Sequence, residues 1–93
     1  KHMILEIVTP EMTLFKGEVE SVSVPGRNGQ FQMLDNHAPV VSLLGKGDVK
    51  IFGSVQLEES LASLFKKEDG TTNFTITGGV IEMKDNKAIV LAD

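Results

Sequence analysis

The 93 residues predict an all-β fold, a two-sheet β-sandwich of about ten strands with one short helix near 57–67. Three observations lead there. Polar and apolar residues alternate with period two along most of the chain, the pattern of half-buried strands. Turn-forming residues recur roughly every eight to twelve positions, the rhythm of sandwiches and barrels. Apolar residues make up 41% and charged residues 24%, an ordinary balance for one globular domain, and the five Phe are the only aromatics. The core is therefore built mainly from Val, Ile, Leu and Met. Lys1-His2 reads as a cloning remnant, so the domain runs over 3–93.

Met3 to Val8 opens the domain as a nearly continuous apolar run and ends at Thr9-Pro10. Lys16-Gly17 marks the next turn. In Glu18 to Val24 the parity slips, with Val19 on one face and Val22 and Val24 on the other; either both faces are partly buried or a bulge re-aims the strand. Pro25 to Gly29 is a turn. Gln30-Phe31-Gln32-Met33 alternates and places Phe31 and Met33 inward. Asp35 to Pro39 is a polar corner, followed by a third apolar run to Leu44. After Gly45-Lys46-Gly47, Val49 and Ile51 point inward; so do Phe74 and Ile76 later in the chain.

Residues 54–67 break the β rhythm. Leu57, Leu61, Leu64 and Phe65 fall at i, i+4, i+7 and i+8, one apolar helical face, with Glu58 and Glu59 at its start and Lys66 and Lys67 at its end. This predicts a helix of two to three turns lying across an open edge of the sandwich. Core packing explains the stripe best; a partner-docking role for part of it is the lesser alternative. Val80 to Met83 and Ala88 to Leu91 resemble Met3 to Val8, as central strands covered on both sides, and Asp85-Asn86 between them is a tight hairpin.

The formal charge of −4 and a single Arg disfavour a nucleic-acid partner, because phosphate neutralisation needs clustered cations. With no cysteine there is no disulfide framework and no thiolate ligand. No run approaches the roughly 20 apolar residues of a spanning helix, so any work at a membrane goes through another protein.

Catalytic chemistry is hard to assemble. Asp35 and His37 lack a convergent nucleophile, and a triad needs all three groups. Outside the Lys1-His2 remnant, the same pair has no further His or Cys to complete a metal shell. Gly78-Gly79 leads into a strand and not a helix, unlike a phosphate loop, so it reads as a bend or a close backbone contact. Asn73-Phe74-Thr75 is a sequon inside a strand and is discounted. Glu58 and Glu59, adjacent in sequence, diverge on a helix and form a solvated face. No catalytic residue, metal or cofactor is assigned.

Three ordered blocks carry a resemblance. The first is Leu5-Glu6-Ile7-Val8-Thr9-Pro10-Glu11 through Leu14-Phe15-Lys16-Gly17-Glu18-Val19. The second contains Val24-Pro25-Gly26, Gly29-Gln30-Phe31 and Asn36-His37-Ala38-Pro39. The third is Ile76-Thr77-Gly78-Gly79-Val80-Ile81-Glu82-Met83 followed by Ile89-Val90-Leu91-Ala92-Asp93. Together they resemble the N-terminal β-sandwich of the epsilon subunit of F-type ATP synthases.

The resemblance implies a non-catalytic rotor subunit in the central stalk, linking the gamma subunit to the membrane c-ring and coupling proton translocation to ATP synthesis. It implies a peripheral place in F1 at the cytoplasmic face of the bacterial inner membrane, with membrane association only through the complex. By position, Gly26, Arg27, Asn28, Gly29 and Gln30 match the ring-facing turn, and Thr9, Asn36, His37, Ala38 and Pro39 match gamma-proximal positions. Where the family often carries Glu, this chain has Gln30, which turns a charge-assisted contact into a neutral one. Residues 54–67 read as an insertion. Many members continue with two C-terminal helices; this chain stops at Asp93, either truncated or naturally short, so no ATP binding and no helix-mediated inhibition are expected of it. The alternative from another class is a free-standing β-sandwich recognition module, which calls for an exposed aromatic platform; there is no Trp or Tyr here.

Overall fold

In the computed structural model, which describes residues 2–93, the chain runs through ten strands. They are β1 (Met3–Val8), β2 (Thr13–Val19), β3 (Ser21–Gly26), β4 (Gly29–Leu34), β5 (Val40–Leu44), β6 (Gly47–Phe52), β7 (Lys66–Glu68), β8 (Thr71–Ile76), β9 (Gly79–Lys84) and β10 (Lys87–Ala92). One layer has the order β2-β1-β10-β9-β5, the other β4-β3-β6-β8-β7. A single residue pair, Gly26 opposite Leu44, joins them, so the expected two-layer sandwich is one ten-stranded sheet curled on itself. β1 and β10 pair in parallel; the other pairings are antiparallel.

The inward faces of both layers meet in one aliphatic core. Met3, Leu5 and Ile7 of β1, Val22 and Val24 of β3, Ile81 and Met83 of β9, and Ala88 and Val90 of β10 are all buried there. The period-two reading holds for Met33, Val49, Ile51 and Ile76, which are fully buried. Phe31 and Phe74 point the same way but are half-buried at the rim.

The slipped parity in Glu18 to Val24 has a topological cause. β2 ends at Val19 and β3 starts at Ser21, so Glu20 is the corner where the chain crosses between layers. The Glu20 N–H donates to the Phe52 carbonyl at 2.9 Å, which pins that corner. Beyond it, Ser21 to Pro25 are buried on both faces, since Gln32 and Gln30 fold down on the hydroxyls of Ser21 and Ser23 at 2.8 and 3.0 Å.

The segment expected to form a helix of two to three turns is shorter and tighter: a 3₁₀ helix over Glu59–Leu64. The Leu61 N–H donates to Glu58 O and the Phe65 N–H to Ala62 O, the three-residue spacing of that geometry. The physical reason is competition from the sheet. Lys66, Lys67 and Glu68 pair with Asn73, Thr72 and Thr71 on the free side of β8, which removes the last turn of any longer helix. The apolar stripe does pack on the core through Leu57 and Leu61, with Phe65 buried 5.3 Å from Phe74; Leu64 is 51% exposed.

Two turns follow directly from residue type. Asp85 and Asn86 take φ of 53° and 61°, the left-handed pair of a two-residue hairpin. Gly79 has φ 151° and lies so close to β10 that a Cβ would strike the Leu91 carbonyl oxygen, so only glycine fits.

Candidate interaction surface

The strands β1, β9 and β10 are interior to their layer, but they are covered on one face only. This corrects the expectation of cover on both sides: among the described residues nothing packs on the outward face of the first layer. Their apolar runs therefore put hydrophobic side chains outside as well as inside. Across four strands, Leu43 stands opposite Val80, Val80 opposite Leu91, and Leu91 opposite Val8. Val8 and Val80 are half-buried; Leu91 is 46% and Leu43 55% exposed. The row below it mixes Val41 (69% exposed) and Ile89 with Glu82 and Glu6. Glu6 receives Lys16 and Lys87 at 3.5 and 3.7 Å, so the charges beside the apolar row are locally matched.

The second layer is the opposite. Its outward side chains bond one another: the Gln30 amide donates to Ser23 Oγ and to the Asp48 carbonyl, and the Thr75 hydroxyl donates to Asp48 Oδ1 at 2.6 Å. Asn73 is buried and donates to Glu68 at 2.9 Å. Apart from Asn73 Oδ1, which is buried without a partner, these polar groups are already bonded and gain little from docking, whereas an apolar row left in water gains its burial energy only there.

The expected contact residues fall at two ends of this body. Gly26 to Gln30 form the β3–β4 hairpin, with exposed Arg27 and Asn28 at its two-residue tip. Gln30 is not free at the tip: its amide nitrogen is bound to Ser23 and Asp48. Thr9 follows Val8, at the same end as that tip, and lines one groove with Arg27, Gly78 and Asp93. Its hydroxyl closes a local turn with the Met12 backbone.

Asn36, His37, Ala38 and Pro39 lie at the far end. Val40, which follows them, pairs with Met83 next to the Asp85-Asn86 hairpin, while Leu44 pairs with Gly79 at the Arg27 end. The five residues of β5 separate the two ends, on the order of 15 Å. The structure thus gathers Thr9 with the Arg27 hairpin and not with the 36–39 corner. That corner is held by Asn86, whose side-chain oxygen accepts from the Asn36 N–H at 2.6 Å. The His37 N–H donates to Leu34 O at 3.2 Å, and its ring Nδ1 lies 2.8 Å from Ala38 O, so the imidazole is tied to its own backbone. Among the described residues no group of three or more His, Cys, Asp or Glu is placed to hold a metal ion.

The apolar row escaped the sequence reading, although its signal was present. Unbroken apolar runs mean both faces are apolar; they do not say that both are covered.

This surface can be set beside known proteins. The model for the beta-sandwich domain of the ATP synthase delta/epsilon chain matches residues 2–93. The chain belongs to the ATP synthase delta/epsilon family. It is 40% identical over 93 residues to the ATP synthase epsilon chain of Chlorobaculum tepidum, covering all of this chain and 91% of that one. It is 38% identical over 89 residues to the epsilon chain of Leptospira borgpetersenii, covering 96% of this chain but 59% of the relative. The delta/epsilon sandwich also superposes on a chain of the central stalk/c-ring structure of the Tetrahymena thermophila mitochondrial ATP synthase, with a TM-score of 0.74, 15% identity and coverage of 99% and 63%. A chain of the Euglena gracilis mitochondrial enzyme gives 0.72 at 17% identity, covering 98% and 50%. These two likenesses speak to the fold.

Proposed function

We propose that this chain is a non-catalytic rotor subunit of an F-type ATP synthase, linking the gamma subunit to the c-ring in the central stalk. The observation that carries the proposal is the apolar row Leu43–Val80–Leu91–Val8 on the outward face of the first layer, in a chain of the delta/epsilon family. In this reading gamma covers that face, reaching Thr9 at one end and the Asn36 to Pro39 corner at the other. The Gly26 to Gln30 hairpin meets the polar loops of the c-ring, with Arg27 and Asn28 as the touching side chains and Gln30 supporting the turn from behind. The subunit transmits torque between proton flow and ATP synthesis as a stiff spacer, as part of F1 on the cytoplasmic side of the bacterial inner membrane. Its contacts are with proteins and not with nucleic acid or lipid.

Titration calorimetry of this chain against the gamma subunit of the same enzyme tests the proposal. Saturable binding at micromolar concentration or tighter is expected. An absence of binding at 100 μM, about 5.5 kcal/mol on the affinity scale, would overturn it.

A further inference from the structure

Among the described residues β2, β4 and β7 are the edge strands of the curled sheet, and β5, between β9 and β3, meets β3 at one residue pair and is otherwise open on that side. A bare edge is a template for another strand, and proteins blunt it with charge, bulges or shortness. β7 is three residues long and fully charged: Lys66, Lys67, Glu68. β2 carries Lys16 and Glu18 outward and pairs through a register shift at Ile7/Val8. β4 presents Gln30 and Gln32, both bonded down to β3. β5 has none of these devices. Val40-Val41-Ser42-Leu43-Leu44 contains no charge and no proline, and its outward side chains Val41 and Leu43 are 69% and 55% exposed. One side of β5 pairs with β9; on the other only Leu44 meets Gly26. Its open side faces a cleft whose other wall is the Gly26–Phe31 segment.

We propose that the β5 edge is a homotypic interaction surface: β5 of one copy pairs antiparallel with β5 of a second copy about a two-fold axis at Ser42. The strand is suited to itself. Antiparallel pairing centred on Ser42 sets Val41 of one copy opposite Leu43 of the other, and the reverse, so every outward pair is aliphatic against aliphatic. An isologous contact needs this self-complementarity, and a run without charge meets no like-charge penalty under the two-fold. The pairing also places Val41 of the second copy at the end of the row Leu43–Val80–Leu91–Val8; beyond it that copy's row continues through Glu82. The formal charge of −4 on each copy opposes approach, so association strengthens as salt screens it.

Sedimentation equilibrium of the isolated chain, from about 10 μM to 1 mM in 0.3 M salt, tests this. The mass average is expected to rise toward that of a dimer, and amide exchange at Val41 to Leu43 to slow as concentration rises. Val41→Lys, a change at an exposed site that leaves the core intact, is expected to keep the chain monomeric throughout. Leu91→Lys lies on the same outward face but on β10, so edge pairing survives it. A chain that stays monomeric at 1 mM overturns the proposal. So does a Val41→Lys chain that still dimerises, or a dimer lost in Leu91→Lys, which would mean that the faces stack instead.

Discussion

Leu91 stands directly opposite Val80 on the outward side of the first layer, with Val8 on its other flank. The row they form is an apolar feature outside the core, with Leu91 46% exposed. A Leu91→Glu variant is expected to fold with stability within about 0.5 kcal/mol of the parent, since the site is exposed. Its affinity for the gamma subunit should fall by about 2 kcal/mol, roughly thirty-fold, because the charge is desolvated in the interface. Calorimetry of the two chains side by side reads the difference.

Phe65 fastens the 53–65 excursion to the sandwich through Phe74, 5.3 Å away. Phe65→Ala should cost about 3 kcal/mol in urea unfolding, the usual loss for a buried aromatic. Protease cleavage within 54–64 should speed up in parallel. Leu64→Ala, at a side chain 51% exposed on the same excursion, should change stability by less than about 0.5 kcal/mol.

Gly79 tolerates no side chain, because its φ of 151° and the Leu91 carbonyl both forbid a Cβ. Gly79→Ala should lower stability by about 3 kcal/mol or more. Gly45→Ala, where a Cβ meets nothing within 4 Å, is the matched control and should lie within about 1 kcal/mol of the parent. Thermal unfolding of both variants gives the comparison.

Asn86 joins three parts of the chain: it keeps φ at 61°, accepts from the Asn36 N–H and donates to the His2 carbonyl. Asn86→Gly retains the backbone freedom and loses both side-chain bonds. A cost of about 1–2 kcal/mol is expected, with faster exchange of the Asn36 amide. Unchanged exchange at Asn36 would show that the 36–39 corner is held by something else.

The inward residues were legible in the sequence because a strand's faces alternate with period two: Met33, Val49, Ile51 and Ile76 could be placed one by one. The Asp85-Asn86 hairpin was legible because few residue types accept positive φ. The length of the helix was not. A 3.6-residue stripe at Leu57, Leu61, Leu64 and Phe65 looks the same whether or not a strand edge captures Lys66 to Glu68, and that edge belongs to β8, later in the chain. The grouping of contact residues was equally out of reach, since the separation of Thr9 from the 36–39 corner depends on the parallel pairing of β1 with β10.

The sequence by itself determined an acidic, cysteine-free, all-β domain, its core-facing residues and its turns, because alternation and turn chemistry are local. Only the tertiary structure decided which apolar runs keep one face in water, which strand edge is left bare, and which loops share an end. Those are properties of non-local pairing: β1 finds β10 across more than 80 residues, and no local pattern encodes which strand will cover which.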